Sequence, residues 1–186
     1  MKILKFILII FISINTPIKA DSYQNVIDVL NKGGKLIFIR HAYAPGGGDP
    51  NNFDIEDCDT QRNLNDKGRK QAQEIGAFFK NNNVKIKDIY SSEWCRCKET
   101  ALIAFKKFKK KSFLNSFFSS KFAQNKYPQI KSLKKFVNNW SGDKHLIFVT
   151  HYVVINELLN YSSSSGEIVI ADKDYNILGN VLISLD

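Results

Sequence analysis

Proline, methionine and arginine are scarce in this chain of 186 residues: four, one and four, with 27 basic residues in total. With only ten glycines and no Gly-X-Y period, a collagen-like rod is excluded, and 44% hydrophobic residues exclude wholesale disorder. There is no internal repeat and no linker that would split the chain. Cysteine is limited to Cys58, Cys95 and Cys97. No Cys-x-x-Cys and no His pair at zinc spacing exists, so neither a metal nor any other cofactor is expected. Cys95 and Cys97 flank one residue, too close for a relaxed mutual bridge. A bridge from Cys58 to either of them, or three buried thiols, are the readings left.

What is present is positive charge, a formal +9 from 27 basic and 18 acidic residues. Such a balance suits anions: phosphates, nucleic acid or an acidic membrane surface. The rigid guanidinium fork is the better phosphate ligand, so Arg40, Arg62, Arg69 and Arg96 carry more information than the lysines. Part of the charge lies in a leader. Lys2 and Lys5 precede an apolar run from Phe6 to Ile14, and Pro17 and Ala20 follow before Asp21. That is the layout of a secretory signal over residues 1–20, and the run is short for a membrane span. Ile18, three before the cut, is larger than usual there; a retained anchor or a buried first helix are the other readings. Cleavage after Ala20 removes Lys2, Lys5 and Lys19 and leaves +6. A single domain over residues 21–186, exported to the periplasm or the medium and with no stable membrane insertion, is the expectation.

Along that domain, strand-like and helix-like segments alternate. Leu36 to Ile39 is a short apolar run after Gly33-Gly34 and reads as a buried strand. A loop from Ala44 to Thr60 follows. Ala72, Ile75, Gly76 and Phe79 recur at helical spacing in a helix beginning near Asn65. Strands are expected at Ile86 to Ser91, Leu146 to Thr150, Glu167 to Ala171 and Val181 to Leu185. Helices are expected at Trp94 to Phe108, Gln129 to Trp140 and His151 to Leu159. Lys109 to Lys126 has no clear period. Alternation of this kind predicts an α/β fold: a three-layer sandwich with a mostly parallel central sheet flanked by helices. Ligand sites in such sheets lie at the carboxyl ends of the strands. There stand Arg40-His41, Ser91-Ser92 with Arg96 just beyond, and Thr150-His151.

Two histidines and two or more arginines at one sheet edge suit phosphoryl transfer. A neutral imidazole can attack phosphorus and form a phosphohistidine. Guanidinium groups and a second, protonated His then stabilise charge on the equatorial oxygens. The N-terminus of the helix at Trp94 adds N–H donors.

These residues resemble the motifs of the histidine phosphatase superfamily, which has the phosphoglycerate-mutase-like fold. Its Arg-His-Gly motif stands here as Arg40-His41-Ala42. Its Arg-x-Leu-Thr-x-x-Gly-x-x-Gln-Ala block is Arg62 to Ala72, its Ser-Ser-x-x-x-Arg-x-x-x-Thr-Ala block is Ser91 to Ala101, and its late strand-then-His motif is Val149-Thr150-His151. The four follow in order over roughly residues 35 to 184. The resemblance implies a histidine phosphatase with His41 as the phosphorylated nucleophile. Arg40, Arg96 and His151 would hold the phosphoryl group, and Arg62 would bind phosphate or another anionic part of the substrate. Arg69 is expected to be a solvated charge, and His145 exposed rather than catalytic.

Departures from the pattern shape the expectation. Ala42 replaces Gly, which is tolerable only where positive φ is not needed. Mutase-type members carry a Glu proton donor after the Ser-Ser block, whereas no acid lies between Glu99 and Asp143, where the region reads Phe113 to Phe118. That favours a phosphatase over a mutase and leaves the acids of the loop after His41, Asp49 first, as candidate donors. Export points to a phosphorylated sugar or other small phosphoester as the substrate, with no nucleic acid partner. The competing expectation is a catalytically weak or dead relative that binds a phosphorylated or polyanionic ligand. It would use the Arg/His pocket and the Lys-rich surface around Lys106 to Lys111.

Overall fold

The computed structural model describes residues 18–185. The expected leader therefore lies, but for its last three residues, outside them. A helix absent from the sequence reading, α1 (Ile18–Asn31), comes first and seats Val26 and Leu30 on the core. Then follow β1 (Leu36–Arg40), α2 (Asp66–Asn81), β2 (Ile86–Ser91), α3 (Cys95–Phe105) and a two-residue β3 (Lys109–Lys110). The chain ends with α4 (Lys126–Asn138), β4 (His145–Thr150), α5 (Tyr152–Leu159), β5 (Glu167–Ala171) and β6 (Ile177–Leu182).

The strands form one six-stranded sheet in the order β3-β2-β4-β1-β5-β6. From β3 to β1 every pairing is parallel; β5 runs antiparallel to β1, and β6 to β5. The sheet is mixed, and its parallel part carries the site. β1 explains why these strands read as unbroken apolar runs. Ile37 and Ile39 join Ile75, Phe79 and Ile147 under α1, α2 and α3. Leu36 and Phe38 join Leu133, Phe148 and Ile155 under α4 and α5. A strand covered on both faces has no polar side to alternate with, and each such side chain contributes about 1.5–3 kcal/mol. Three layers are the outcome.

β6 begins four residues earlier than expected because its register is set by pairing with β5, Glu167 opposite Leu182. β3 escapes sequence reading: two exposed lysines, held by β2, have no apolar signature. α2 begins where expected, with the Asn65 side chain accepting from the Gly68 N–H at 2.9 Å. Gly68 is required, since a Cβ there would lie 2.0 Å from the Tyr43 carbonyl oxygen.

His145 corrects an expectation. It is fully buried at the start of β4, not exposed. Nδ1 accepts from the Lys35 N–H at 3.1 Å, and Nε2 donates to the Leu30 carbonyl at 2.8 Å. With both nitrogens used, it ties the end of α1 to the sheet. It stands at the end of β4 opposite His151. Arg69 is a surface residue as expected, paired with Asp66 and Glu99.

Candidate active site

The parallel ladder delivers the chemistry to one edge. Arg40 pairs with Thr150, and the His41 N–H continues the ladder to the Thr150 carbonyl at 2.9 Å. On the other side of β4 the Ser92 N–H reaches the Val149 carbonyl at 3.0 Å. His41, Ser92 and His151 thus leave three adjacent strands side by side. The two imidazoles lie with centroids 5.4 Å apart, both 2% exposed.

His41 has a defined tautomer. Its Nδ1 lies 2.8 Å from the Ala42 carbonyl, an acceptor only, so Nδ1 carries the proton. Nε2 is then a lone pair, and it accepts from Arg96 Nε at 3.2 Å. Ala42 itself does not adopt positive φ, which is why it can replace Gly. Its N–H is held by Thr100 Oγ1 at 3.0 Å.

Arg96, on the first turn of α3, is 3% exposed. Besides His41 it meets the carboxylate of Asp49 with both terminal nitrogens, Nη1 to Oδ1 at 2.6 Å and Nη2 to Oδ2 at 3.2 Å. Asp49 also accepts from the Arg62 N–H at 3.1 Å and from Trp94 Nε1 at 3.0 Å. Burial alone would raise its pKa; the hydrogen bond and charge of Arg96, with the Trp94 and Arg62 donors, outweigh it and hold the carboxyl below its ordinary range. Asp49, the first of the candidate donors, thus comes to the site as a carboxylate paired with Arg96.

Arg62 is half-buried and clasps the loop after His41, with Nε on the Gly48 carbonyl at 3.0 Å and Nη1 on the Ala44 carbonyl. Arg40 donates Nη1 to the Ser163 carbonyl at 2.7 Å and lies 5.2 Å over the Tyr152 ring. All five expected residues are brought together. Sequence reasoning missed Asp49 as the partner of Arg96, and Gln71 as a scaffold. Gln71 accepts from the Tyr43 N–H at 2.9 Å and donates to the Ser165 and Ile183 carbonyls. Its place in the second motif was the available signal.

Both site histidines are held neutral, their pKa values well below ordinary. For His41 the causes are burial, then Arg96, Arg62 and Arg40, against the opposing Ala42 hydrogen bond. For His151 they are burial, then Arg96, His41, Arg62 and Arg40. The unfolded chain binds more protons below about pH 6.5, so stability falls as pH drops from there toward the folded-state pKa values. Each neutral histidine contributes a slope of up to about 1.4 kcal/mol per pH unit. Thermal unfolding in phosphate-free buffer at pH 7.5 and 5.5 should show a clearly lower Tm at 5.5; an equal or higher one contradicts this reading.

A disulfide joins Cys58 to Cys95 with Cα atoms 5.7 Å apart. Of the two partners left open, Cys95 is the one bonded. Cys97, two residues on and turned to the core, keeps a buried thiol pushed up to about 12, by burial first. The bridge fixes the loop that carries Asp49 to the helix that carries Arg96. Its loop of 37 residues corresponds to stabilisation of about 2–4 kcal/mol. Denaturant unfolding of the Cys58→Ser/Cys95→Ser chain should show that loss, and reductant should give it in the parent. Three titratable thiols in the denatured, unreduced protein would refute the bridge.

On the far side of Trp94, whose ring lies 5.4 Å from that of His151, a cavity of about 460 Å³ is lined by Phe53, Asn115, Lys121, Phe122 and Gln129 among others, and by none of the five site residues. Among the described residues, no cluster of three His, Cys, Asp or Glu side chains is arranged to hold a metal.

Residues 36–115 match the sequence profile of the histidine phosphatase superfamily (branch 1). No curated protein matches the chain. Solved structures do. Phosphoglycerate mutase from Thermus thermophilus is 14% identical with a TM-score of 0.59, over 81% of this chain and 99% of that one. The protein histidine phosphatase SixA complexed with tungstate is 15% identical with a TM-score of 0.55, over 81% and 97%. TTHB049, also from Thermus thermophilus, is 14% identical with a TM-score of 0.57, over 81% and 99%. At these identities the likeness establishes the fold, which is phosphoglycerate-mutase-like.

Proposed function

For a chain whose residues 36–115 carry the histidine phosphatase profile, we propose a phosphomonoester hydrolase that works through a phosphohistidine on His41. The observation that carries this reading is the His41 tautomer. The Ala42 carbonyl accepts from Nδ1–H and leaves Nε2 as a buried lone pair against Arg96. Nε2 attacks phosphorus, the P–N bond forms, the ester P–O bond breaks, and the leaving oxygen departs with the electron pair and takes a proton from water. Water then attacks phosphorus, the P–N bond breaks and inorganic phosphate leaves. Arg96, Arg40 and Arg62 supply the opposing positive charge, so the residues themselves provide what a metal otherwise would. SixA, one of the structural neighbours, binds tungstate, a tetrahedral oxyanion of this kind. The gap in acidic residues between Glu99 and Asp143 favours hydrolysis over mutase chemistry.

The substrate is a phosphorylated sugar or another small phosphoester met outside the cytoplasm. Two observations support that setting: the leader-like residues 1–20 and a disulfide, which persists in oxidising compartments. The test is to incubate the protein with a panel of phosphorylated metabolites, quench in base and look for an acid-labile phosphoadduct on His41. Turnover insensitive to chelator supports the proposal. Tight, saturable phosphate-ester binding with no adduct supports the non-catalytic relative instead. Fractionation that places the protein in the cytoplasm would overturn the exported setting.

A further inference from the structure

Ser92 lies between His151 and a residue that no motif contains. Its Oγ is 2.9 Å from His151 Nε2, 3.1 Å from Asn115 Oδ1 and 3.3 Å from the Trp94 N–H. The orientation of Asn115 is fixed independently of Ser92. Its Oδ1 accepts from the Glu93 N–H at 2.9 Å, and its Nδ2 donates to Glu93 Oε2 at 2.8 Å. Oδ1 is therefore the oxygen, and it only accepts. Asn115 Oδ1 can only accept, so the 3.1 Å contact puts the Ser92 proton on Asn115, and Ser92 accepts from the Trp94 N–H and from His151; the Cys97 thiol also lies against this hydroxyl. Nε2 of His151 is then the protonated nitrogen.

Cys97 Sγ, 3.5 Å from the same Nε2, fits as a weak acceptor. The reverse arrangement, a thiol donating to an Nε2 lone pair, would set that lone pair against the Ser92 oxygen at 2.9 Å. Among the described residues Nδ1 of His151 has no hydrogen-bond partner. Asn115, Ser92 and His151 are all nearly inaccessible to solvent, so water does not compete for these bonds.

We propose that Asn115 is a positioning residue that fixes the tautomer of His151 through Ser92, so that Nδ1 is the nitrogen His151 presents to the phosphoryl group. The phosphoryl half of that statement rests on the phosphatase reading above; the tautomer half does not. The resemblance places the missing mutase carboxylate in this region, and here a carboxamide orients the second histidine instead. Asn115 acts through Ser92.

The experiment is two-bond ¹H–¹⁵N correlation on the full chain labelled at histidine nitrogen, at a pH where His151 is neutral. The parent should give a pyrrole-type Nε2 and a pyridine-type Nδ1 at His151. In Asn115→Leu the Ser92 hydroxyl is free to turn, and the two shifts should move toward the average of mixed tautomers. In the exchange Asn115→Asp/Glu93→Gln the acceptor for Ser92 is kept and the amide–carboxylate pair reversed, so the parental pattern should return. Hydrolysis of an aryl phosphate should fall about 10- to 100-fold in kcat for Asn115→Leu, with KM within about twofold, and recover in the exchange. An Nδ1–H tautomer in the parent overturns the proposal, and so does a pure Nε2–H tautomer in a folded Asn115→Leu chain. Should Asn115→Leu not fold, Asn115→Ser is read the same way. The spectra need no substrate, so a protein without turnover still decides the tautomer, whereas turnover with unperturbed spectra sinks this proposal and leaves the phosphatase reading intact.

Discussion

His41→Ala will form no acid-labile phosphoenzyme and will lose hydrolysis by on the order of 10⁴-fold or more, the scale on which nucleophile deletions act. The other nucleophilic side chains beside it are occupied or protonated. The Cys97 thiol is buried, its pKa pushed up to about 12. Asp49 is already saturated by Arg96, Trp94 and the Arg62 N–H. Binding should survive the substitution. Arg96 Nε loses its acceptor on His41, so inorganic phosphate should bind the variant at least as well as the parent. Stability at neutral pH should change little beyond the cavity cost, because the His41 N–H bond in the ladder to Thr150 is backbone. The decisive measurements are kcat on an aryl phosphate and ³²P trapping. Turnover within tenfold of the parent, or an adduct that persists in the variant, refutes the nucleophile assignment.

How much of this site could be read in the sequence follows from how local each determinant is. Leu36 to Ile39 and Leu146 to Thr150 are legible as strands because burial on both faces leaves continuous apolar runs. His41 and His151 follow those runs directly, so locating the strands locates the histidines. Arg96 is legible through its place in a motif on the first turn of α3. The rest depends on partners distant in sequence. Asp49 is one of several acids in an aperiodic loop, and only its bond to a residue 47 positions away distinguishes it. Asn115 follows a short helical turn between lysines and phenylalanines, 23 residues from Ser92. His145 looks like a surface residue beside Lys144, yet its environment is built by Leu30 and Lys35, 115 and 110 residues away. The disulfide pairing has the same character. Spacing excludes Cys95 with Cys97, but which of them faces Cys58 is decided by the rotation of a helix.

Asp49→Ala separates two roles that sequence alone cannot separate, proton donor and counter-ion. As the counter-ion of a guanidinium that is 3% exposed, Asp49 offsets the charge of Arg96 in a pocket where Arg62 and Arg40 add two more. Removing one partner of a buried pair costs about 3–5 kcal/mol, and a domain of this size translates that into a fall in Tm of roughly 10 °C. The loss should be larger at low ionic strength, since Arg96 and Arg62 then lose the carboxylate that offsets them and are screened by fewer solvent ions. Inorganic phosphate should reverse it. In the parent both terminal nitrogens of Arg96 are occupied by the carboxylate, so an incoming phosphoryl group must displace or share it. In the variant those donors are free, and phosphate at a hundred times its Kd returns about 2.7 kcal/mol. Phosphate should therefore raise the Tm of Asp49→Ala by more than it raises the parent's, and bind it more tightly. A donor would behave otherwise: its loss would leave stability and phosphate affinity nearly unchanged and reduce kcat about 10²-fold or more at saturating substrate. The bidentate pairing with Arg96 favours the counter-ion role. An unchanged Tm with a collapsed kcat would reverse that conclusion and restore Asp49 as the acid.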